Sequence, residues 1–323
     1  MALPVTGRRA LVTGGAGFIG SHVSDAFLAA GYAVTVLDDF STGRRANVPA
    51  GATVAELDIR SRDASALVRG GGFDVMCHLA AQIDVRKSVA DPVGDADRNV
   101  LGTLNLLEAA RHAPRPPRVV FSSTGGAVYG DQEPPPSAEG QPKDPESPYG
   151  IAKLAAEYYL SYFGRVHGLE CVALRYANVY GPRQDPHGEA GVVAIFCQRL
   201  LAGVPLVVFG DGTQTRDYVY VGDVARANVL AAAAPIPAAR RVDDRAFNVG
   251  TGVPTSVLEL VAALQRVAGR ASPVEHAPPR AGEQARSFVD VAKAARHLGW
   301  RPAVTLEEGL RLTYDWFRQA LAA

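Results

Sequence analysis

A tyrosine and a lysine four positions apart are the residues best suited to move a proton. Tyr149 and Lys153 stand in the segment SPYGIAK, in which Ser147 has the position of a helix N-cap and Pro148 that of the first helical residue. On a helix, this spacing places both side chains on one face. A neighbouring ammonium lowers the pKa of a tyrosine from about 10 toward neutral pH. The pair predicts a general base for a substrate hydroxyl, although a buried tyrosine beside an exposed lysine would show the same spacing.

A glycine-rich turn near the N-terminus indicates a nucleotide site. The segment VTGGAGFIG lies between a predicted strand and a predicted helix and contains Gly14, Gly17 and Gly20. Glycines at this spacing allow a tight turn and a close approach of the backbone to a pyrophosphate at the helix N-terminus. Asp38 ends the next predicted strand, where a carboxylate accepts hydrogen bonds from an adenosine ribose. The pattern predicts NAD rather than NADP, although Arg44 and Arg45 could bind a ribose phosphate. Asp58, after the third strand, could contact the adenine or only form a turn.

Short apolar runs alternate with longer amphipathic ones in the first half of the chain. The predicted strands are Arg9–Thr13, Ala33–Leu37, Thr53–Leu57, Val75–Leu79, Val119–Ser122 and Cys171–Arg175. The predicted helices lie near Phe18–Ala30, Asp63–Val68, Pro92–Arg111 and Pro148–Val166. This alternation implies parallel strands joined by right-handed crossovers, and so an α/β protein with a Rossmann-type doubly wound parallel sheet.

The alternation ends after Arg175, where segments rich in proline, glycine and charge separate the elements. Helical patterns return at Val192–Leu201, Ser256–Val267 and Leu306–Leu321. We therefore predict a dinucleotide-binding domain over residues 1–175 and a smaller mixed α/β substrate lobe over residues 176–323. Segments near residues 215–250 are expected to pack back on the first domain.

Composition excludes several classes of function. The 33 Lys and Arg residues balance 33 Asp and Glu residues, so no excess charge points to a nucleic acid. Neither the seven histidines nor the three cysteines show metal-ligand spacing, and three scattered cysteines in apolar runs indicate buried thiols in a reducing compartment. No signal region and no apolar run of about 18 residues is found. We expect a cytoplasmic protein without a metal, a nucleic-acid partner or a membrane segment.

Nine segments come in an order that resembles the extended short-chain dehydrogenase/reductase family, in the group that acts on nucleotide sugars. They lie within residues 12–252 and read TGGAGFIGSH, LDDFSTG, HLAAQ, NVLGTLNLLEAA, FSSTGGAVYG, SPYGIAK, LRYANVYGPRQ, GDGTQTRDYVYVGDVA and FNVGTG. The stretch PPRAGEQARSFVDVAKAARHLGW and the last predicted helix extend the resemblance to the whole chain. The chain is most similar to the UDP-glucose (UDP-galactose) 4-epimerase group. The resemblance implies a UDP-hexose substrate and NAD that is tightly bound and recycled.

The resemblance also implies roles for individual residues. Tyr149 matches the catalytic base, and Lys153 matches the lysine that orients the nicotinamide ribose and lowers the tyrosine pKa. The hydroxyl that meets the C4 oxygen of the sugar is expected at Thr124. Ser123 is the alternative, because the segment GGA between Thr124 and Val128 is one residue longer than in many relatives. The implied cofactor contacts are Gly14, Gly17, Phe18, Ile19, Gly20, Asp38, Asp39, Ser41, Thr42, Gly43, Asp58, Ile59, Leu79, Ala80, Ala81, Gln82, Asn99, Ser122, Tyr149, Lys153 and Tyr176. The implied substrate contacts are Ser88, Thr124, Tyr149, Asn178, Val192, Val193, Arg216, Arg280 and Ser287.

The segment after Thr124 bears on the reaction. Related 4,6-dehydratases have an Asp-Glu pair after the threonine and related decarboxylases have a glutamate nearby, whereas this chain has Gly125-Gly126-Ala127. The resemblance therefore implies 4-epimerisation, in which Tyr149 deprotonates the C4 hydroxyl, hydride passes to NAD, and the 4-keto sugar rotates before hydride returns to its other face. The alternatives are a UDP-glucuronate 4-epimerase, a dTDP-glucose 4,6-dehydratase, a UDP-glucuronate decarboxylase, a reductase, and a non-enzymatic NAD sensor or scaffold.

By the same resemblance, Ser287 matches the position that gates the sugar pocket in the epimerase group. A small side chain there is expected to admit UDP-GlcNAc and UDP-GalNAc beside UDP-Glc and UDP-Gal, unless Ser287 only begins a strand and another side chain fills the space. Arg183 or Arg286 could meet the carboxylate of a uronic acid.

Members of the family commonly form homodimers through two paired helices, which here would lie near Pro92–Arg111 and Pro148–Val166. A homodimer is therefore expected. The apolar residues of these helices could either form that surface or face the sheet, namely Leu101, Leu104, Ile151, Leu154 and Tyr158.

Overall fold

The computed structural model describes residues 7–131, 135–187, 191–238, 240–279 and 284–321. The strands are β1 (Arg9–Thr13), β2 (Ala33–Asp38), β3 (Thr53–Glu56), β4 (Val75–His78), β5 (Arg118–Thr124), β6 (Cys171–Tyr176), β7 (Asn178–Tyr180), β8 (Leu206–Phe209), β9 (Thr215–Tyr220), β10 (Ala246–Val249), β11 (Pro254–Ser256), β12 (Val274–Ala277) and β13 (Arg286–Ser287). The α-helices are α1 (Phe18–Ala29), α2 (Arg62–Gly70), α3 (Val85–Ala90), α4 (Pro92–Ala96), α5 (Gly102–Arg111), α6 (Pro148–His167), α7 (Val192–Ala202), α8 (Val221–Ala233), α9 (Val257–Ala268), α10 (Ala292–Leu298) and α11 (Leu306–Ala320).

Seven parallel strands form the central sheet, in the order β3-β2-β1-β4-β5-β6-β10. Side chains of α1 and α8 cover one face of the sheet, and side chains of α2, α5 and α6 cover the other. The strand order reverses between β1 and β4, and in such sheets ligands bind at the carboxyl ends of the strands beside this point. The predicted doubly wound α/β fold is confirmed.

A smaller lobe forms around β9, which pairs with β7 and β13 in parallel and with β11 in antiparallel orientation. A separate pair joins β8 to β12. The core of this lobe consists of apolar side chains from α7, α9 and α11 together with residues of β7, β8 and β9. The lobe is thus a mixed α/β unit, with strands of two to six residues.

Two later segments return to the central sheet. The strand β10 pairs with β6 at the sheet edge, and α8 packs against α1. Trp300, which is fully buried, donates from its indole Nε1 to the carbonyl of Asp223 in α8 at 2.9 Å. The division of the chain at residue 175 stays a prediction, since part of the sheet and its covering helices come from beyond that residue.

The predicted helix Pro92–Arg111 is divided into three parts. Between α4 and α5 lies a π-helical turn, Asp97–Leu101, whose wider hydrogen-bonding pattern changes the directions of successive side chains. Asn99 lies in this turn, nearly buried, and donates from Nδ2 to the carbonyl of Gln82 at 2.8 Å. The π turn therefore joins this helical segment to the loop after β4.

In the part of the chain that the structure describes, no helix is long and apolar enough to cross a membrane. The same residues contain no cluster of three or more potential metal ligands.

Candidate active site

The glycine turn forms a narrow cradle between β1 and α1. Gly14 has φ +69°, and a Cβ atom built there would lie 2.7 Å from the backbone nitrogen of Ala80. A Cβ atom at Gly20 would lie 2.1 Å from the carbonyl oxygen of Gly14. Gly17 is the N-cap of α1 and has no side chain to cap the helix, so the first N–H groups of α1 face the turn. The cradle therefore suits a pyrophosphate, as the sequence predicts.

Replacing Gly14 with alanine is expected to abolish NAD binding, because the added Cβ would clash with the loop after β4 and the φ value is unfavourable for alanine. NAD content after purification and titration with NAD measure this effect. Gly269→Ala is a matched control, since Gly269 also has positive φ (+62°) but lies at the end of α9 with open space around its Cβ. Wild-type NAD binding by Gly14→Ala would contradict the cradle.

Asp38 joins the end of β2 to the glycine turn. Its carboxylate accepts hydrogen bonds from the backbone nitrogens of Ala16 and Phe40, both at 2.9 Å. Burial raises the pKa of Asp38, and the two backbone hydrogen bonds oppose that rise. Arg44 is ion-paired with Asp185 at 3.1 Å, so it is occupied by a carboxylate. The arrangement fits a ribose with free hydroxyls better than a ribose phosphate.

The loop after β2 holds four further residues predicted to contact the cofactor, namely Asp39, Ser41, Thr42 and Gly43. Asp39 Oδ1 accepts hydrogen bonds from the backbone N–H and the hydroxyl of Ser41, and Thr42 is exposed. A Cβ atom at Gly43 would lie 2.7 Å from Asp38 Oδ1, so glycine permits the close approach of this loop.

Asp58, after β3, forms an ion pair with Arg60, which also pairs with Asp97 of the π turn. The hydrogen bond from the Arg60 side chain lowers the pKa of Asp58. Ile59 packs in the core, and its carbonyl accepts a hydrogen bond from Asn105 at 2.7 Å. Of this predicted pair, only Asp58 presents its side chain outside the core.

The helix α6 begins as the sequence predicts. The Ser147 hydroxyl accepts a hydrogen bond from the backbone N–H of Gly150 at 3.1 Å, and Pro148 is the first helical residue. Ser88 is fully buried and accepts from the backbone N–H of Tyr149 at 3.2 Å. Ser88 therefore fixes the first turn of α6, and with it the position of Tyr149.

Lys153 lies one turn further along α6 and is 3% exposed. Its Nζ donates to the carbonyl of Ser122 at 2.9 Å. The same Nζ lies 4.7 Å from the centroid of the Phe121 ring and 5.9 Å from the centroid of the Tyr149 ring. Burial lowers the pKa of Lys153 to about 8. The ammonium therefore links the start of α6 to the end of β5, close to Tyr149.

The hydroxyls at the end of β5 point to opposite sides, because side chains alternate along a strand. Ser123 is 3% exposed and donates to the carboxylate of Glu157 on α6. Thr124 is half-buried, and no described residue makes a hydrogen bond with its hydroxyl. The Ser123 hydroxyl is thus engaged within the protein, whereas that of Thr124 is available to a ligand.

Four charged or ionisable residues near the site were not predicted. Glu157 binds Arg175 through Nη2 at 2.6 Å, and both side chains are buried. His78 Nδ1 and the Thr13 hydroxyl share a hydrogen bond of 2.7 Å, and burial lowers the pKa of His78 to about 3. Asp95 accepts hydrogen bonds from Gln82 and Asn99. The only sequence signal among them is the four-residue spacing that puts Glu157 on the same face of α6 as Lys153.

The loop after β4 runs from Leu79 to Gln82 and is half-buried, and the cofactor contacts of Ala80 and Ala81 stay a prediction. Phe18 and Ile19 are also half-buried, in the first turn of α1. The Tyr176 side chain instead lies in the core, where its hydroxyl contacts Asn228. The Tyr176 side chain is therefore not available to a ligand.

The predicted substrate residues of the second lobe meet around β9. Ser287 in β13 lies opposite Arg216 in the neighbouring strand β9. Asn178, at the exposed start of β7, lies opposite Tyr218 in β9. Arg216 donates from Nη1 to the carbonyls of Thr215 at 2.9 Å and Gln284 at 2.8 Å. Asn178, Arg216 and Ser287 therefore belong to one small sheet, whereas Arg280 lies outside the described residues.

The other two predicted substrate residues of this lobe are in the first turn of α7. Val192 is half-buried, and Val193 is 1% exposed and packs in the core of the lobe. Of the two, only the Val192 side chain is available to a ligand.

Comparisons with known proteins identify the family of this chain. The model of the NAD-dependent epimerase/dehydratase family matches residues 10–250. The UDP-glucose 4-epimerase of Mycolicibacterium smegmatis is 47% identical over 315 residues, which cover 96% of this chain and 98% of the relative. The structure of UDP-glucose 4-epimerase with UDP-glucose from Thermotoga maritima has a TM-score of 0.90 at 46% identity and covers 97% of this chain and 99% of its own. For the Thermus thermophilus UDP-glucose 4-epimerase in complex with NAD, the TM-score is 0.88, the identity 48% and the coverage 97% and 99%. The chain belongs to the NAD-dependent epimerase/dehydratase family.

Proposed function

We propose that this protein is an NAD-dependent 4-epimerase of a UDP-hexose such as UDP-glucose or UDP-galactose. The observation that carries the proposal is the junction of α6 with β5, where Lys153, one helical turn after Tyr149, donates to the carbonyl of Ser122, two residues before Thr124. The residues after Thr124 are Gly125, Gly126 and Ala127, so this segment supplies no carboxylate for an elimination or a decarboxylation. The high identity to UDP-glucose 4-epimerases over nearly the whole chain supports the same reaction.

The described residues fit NAD, because the glycine cradle leaves no room for a Cβ and the Asp38 carboxylate is hydrogen-bonded to the backbone of the same turn. Gly14, Gly17 and Gly20 would hold the pyrophosphate, and Asp38 and Asp58 would hold the adenosine. When bound, NAD supplies the acceptor and donor of the hydride at C4 of the sugar.

The chain itself supplies the proton transfer. Tyr149 accepts the proton of the C4 hydroxyl as phenolate and returns it at the end of the cycle. Lys153 stabilises the phenolate by its positive charge. The Thr124 hydroxyl holds the C4 oxygen through a hydrogen bond. Because one phenol serves as base and as acid, the reaction needs no second titratable group at the sugar.

The small sheet around β9 is proposed to hold the UDP part of the substrate. The two hydrogen bonds from Arg216 to backbone carbonyls fix its guanidinium, which suits a diphosphate. Asn178 lies exposed on the neighbouring strand. Of the two arginines that could meet the carboxylate of a uronic acid, Arg183 is ion-paired with Asp25 at 2.8 Å and Arg286 is exposed.

The function is tested by incubating the purified protein with UDP-galactose, without added nicotinamide, and following the sugar by proton NMR. Conversion to UDP-glucose with no net oxidation or reduction of the nicotinamide supports the proposal. Consumption of NADH would indicate a reductase, and a 4-keto-6-deoxy product would indicate a dehydratase. No conversion of UDP-galactose after NAD is supplied would reject the proposal.

Substrate breadth rests on Ser287, which lies half-buried beside Arg216. We expect conversion of UDP-GalNAc as well as UDP-galactose. A Ser287→Tyr variant is expected to lose at least about tenfold in kcat/KM for UDP-GalNAc and to keep UDP-galactose turnover, because the ring fills the space of the N-acetyl group. Ser287→Ala is the matched control and should convert both sugars. Equal loss for both sugars in Ser287→Tyr would show that residue 287 does not gate the pocket.

A homodimer is proposed from the outer face of α6 and the π turn. Leu101, Ile151 and Tyr158 are 57%, 55% and 56% exposed, whereas Leu104 and Leu154 are partly buried. The first three form an apolar surface suited to pairing with a second copy. For the compartment we propose the cytoplasm, which is supported by the buried, unpaired thiols of Cys77, Cys171 and Cys197.

A further inference from the structure

Asp95 is a buried carboxylate that neither the motifs nor the proposed mechanism uses. It lies in α4 and is 1% exposed. Its Oδ1 atom accepts hydrogen bonds from Gln82 Nε2 at 2.9 Å and from Asn99 Nδ2 at 3.0 Å. No described residue donates a hydrogen bond to Oδ2 or forms an ion pair with this carboxylate. A buried carboxylate without a paired cation is costly, so its presence requires a physical reason.

The hydrogen bonds on Oδ1 organise two residues predicted to line the cofactor. Asn99 donates to the carbonyl of Gln82 at 2.8 Å and accepts from the backbone N–H of Gln82 at 2.8 Å. The Gln82 side chain also donates to the carbonyl of Asp84 at 3.0 Å. Asp95 therefore joins the π turn to the loop after β4 through both amide side chains.

The second role concerns the charge of Lys153. The helix α4 packs against α6, and Lys153 interacts electrostatically with Asp95 at a separation beyond the 4 Å of an ion pair. Burial lowers the pKa of Lys153 to about 8, and the charges of Asp95 and Glu157 oppose that effect.

The other ionisable groups near Lys153 are Glu157, His78 and Tyr149. Glu157 is ion-paired with Arg175, which binds both of its carboxylate oxygens. His78 is neutral, because burial lowers its pKa to about 3. Tyr149 is the group whose ionisation the reaction uses. Asp95 is therefore the negative charge near Lys153 that has no cation of its own among the described residues.

We propose that Asp95 is a positioning residue of the reaction, whose carboxylate holds the Gln82–Asn99 pair and keeps Lys153 positively charged beside Tyr149. This role rests on the proposed function for its catalytic consequence, but the charge of Lys153 can be measured without turnover. Asp95→Asn removes the charge and keeps an oxygen that can accept from Gln82 and Asn99.

The direct test is a pH titration of the lysine side chains by NMR, on protein labelled with ¹³C at the lysine Cε. The chain has four lysines, Lys87, Lys143, Lys153 and Lys293, so the spectrum is simple, and loss of a signal in Lys153→Arg assigns Lys153. An opposite charge close by shifts a pKa by about 1–3 pH units. Because Asp95 lies beyond ion-pair distance, we expect the smaller end of this range. The midpoint of the Lys153 titration should fall by about one pH unit in Asp95→Asn. Asp91→Asn is the matched control, because Asp91 caps the same helix, is exposed, and can be replaced by an asparagine cap.

The kinetic test is the pH profile of kcat for UDP-galactose. Loss of the Asp95 charge favours neutral Lys153, so the alkaline limb of the profile should move toward acid pH, with roughly fivefold less activity near pH 8. A uniform loss at every pH, with the Lys153 midpoint unchanged, would overturn the proposal and leave Asp95 only its hydrogen-bonding role. If Asp95→Asn does not fold, Asp95→Ser replaces it, because serine also lacks the charge and keeps a hydroxyl acceptor. The same Lys153 titration and pH profile are then measured on Asp95→Ser. An inactive wild-type protein would reject the epimerase function, and the NMR titration would still decide the role of Asp95.

Discussion

Replacing Tyr149 with phenylalanine is expected to lower kcat for UDP-galactose by about 10²–10⁴-fold, the usual contribution of a general base. The phenyl ring occupies the same space, and the backbone N–H of residue 149 keeps its hydrogen bond to the Ser88 hydroxyl. The first turn of α6 and the position of Lys153 should therefore not change. The variant loses only the oxygen that accepts the C4 proton and returns it.

Initial rates by proton NMR at saturating UDP-galactose measure this effect. NAD content and thermal unfolding, recorded on the same preparations, should match the wild type. Tyr159→Phe is the matched control, because it removes the hydroxyl of a 40% exposed tyrosine on the same helix, and it should keep the wild-type rate. If Tyr149→Phe keeps more than about a tenth of the wild-type kcat, another group is the base.

The cofactor half of the molecule could be predicted from sequence because its features are local. The φ value of Gly14, the caps of α6 and the boundaries of β1 depend on residues within a few positions. The predicted strand Arg9–Thr13 and the start of α6 at Pro148 agree with the structure, and the family prediction is confirmed. Local preferences of this kind are consistent with the final fold, so they can be identified without it.

The second lobe could not be predicted in the same way. The strand β9 pairs with β7, β11 and β13, which are short and come from distant parts of the chain. Two or three residues carry too little alternation of polar and apolar side chains to identify a strand. The position of β10 beside β6 likewise depends on pairing between residues 246–249 and 173–176, which no local pattern indicates.

The charged residues beneath the site were missed for another reason. Asp95, Glu157 and Arg175 are of types that usually lie on the surface, so their positions in a sequence do not indicate burial. The sequence could not decide whether Ser123 or Thr124 is the catalytic hydroxyl, again because burial is not visible in it. Alternation along β5 places them on opposite faces, but only the packing of α6 shows which face holds Glu157.

Replacing Arg175 with methionine is expected to lower the free energy of unfolding by about 3–5 kcal/mol, because it leaves the carboxylate of Glu157 buried without a cation. Arg175 is fully buried and donates from Nε and Nη2 to Glu157 at 2.6–3.1 Å. Its Nη1 donates to the Tyr129 hydroxyl at 3.0 Å and to the carbonyl of Glu139 at 3.1 Å. Removing the guanidinium therefore leaves several buried oxygens without a donor, and urea denaturation at neutral pH measures the cost.

Two further variants separate the buried charge from a general loss of packing. Arg175→Met combined with Glu157→Leu removes both charges and should regain much of the lost stability, since a buried ion pair and apolar groups of similar volume often differ little. Arg311→Met is the surface control, because Arg311 pairs with Glu308 while half exposed, and it should leave stability unchanged. If the double variant is no more stable than Arg175→Met, the unpaired carboxylate is not the cause of the loss. Because Glu157 also accepts a hydrogen bond from Ser123 at the end of β5, the single variant is further expected to disturb the packing of α6 against this strand.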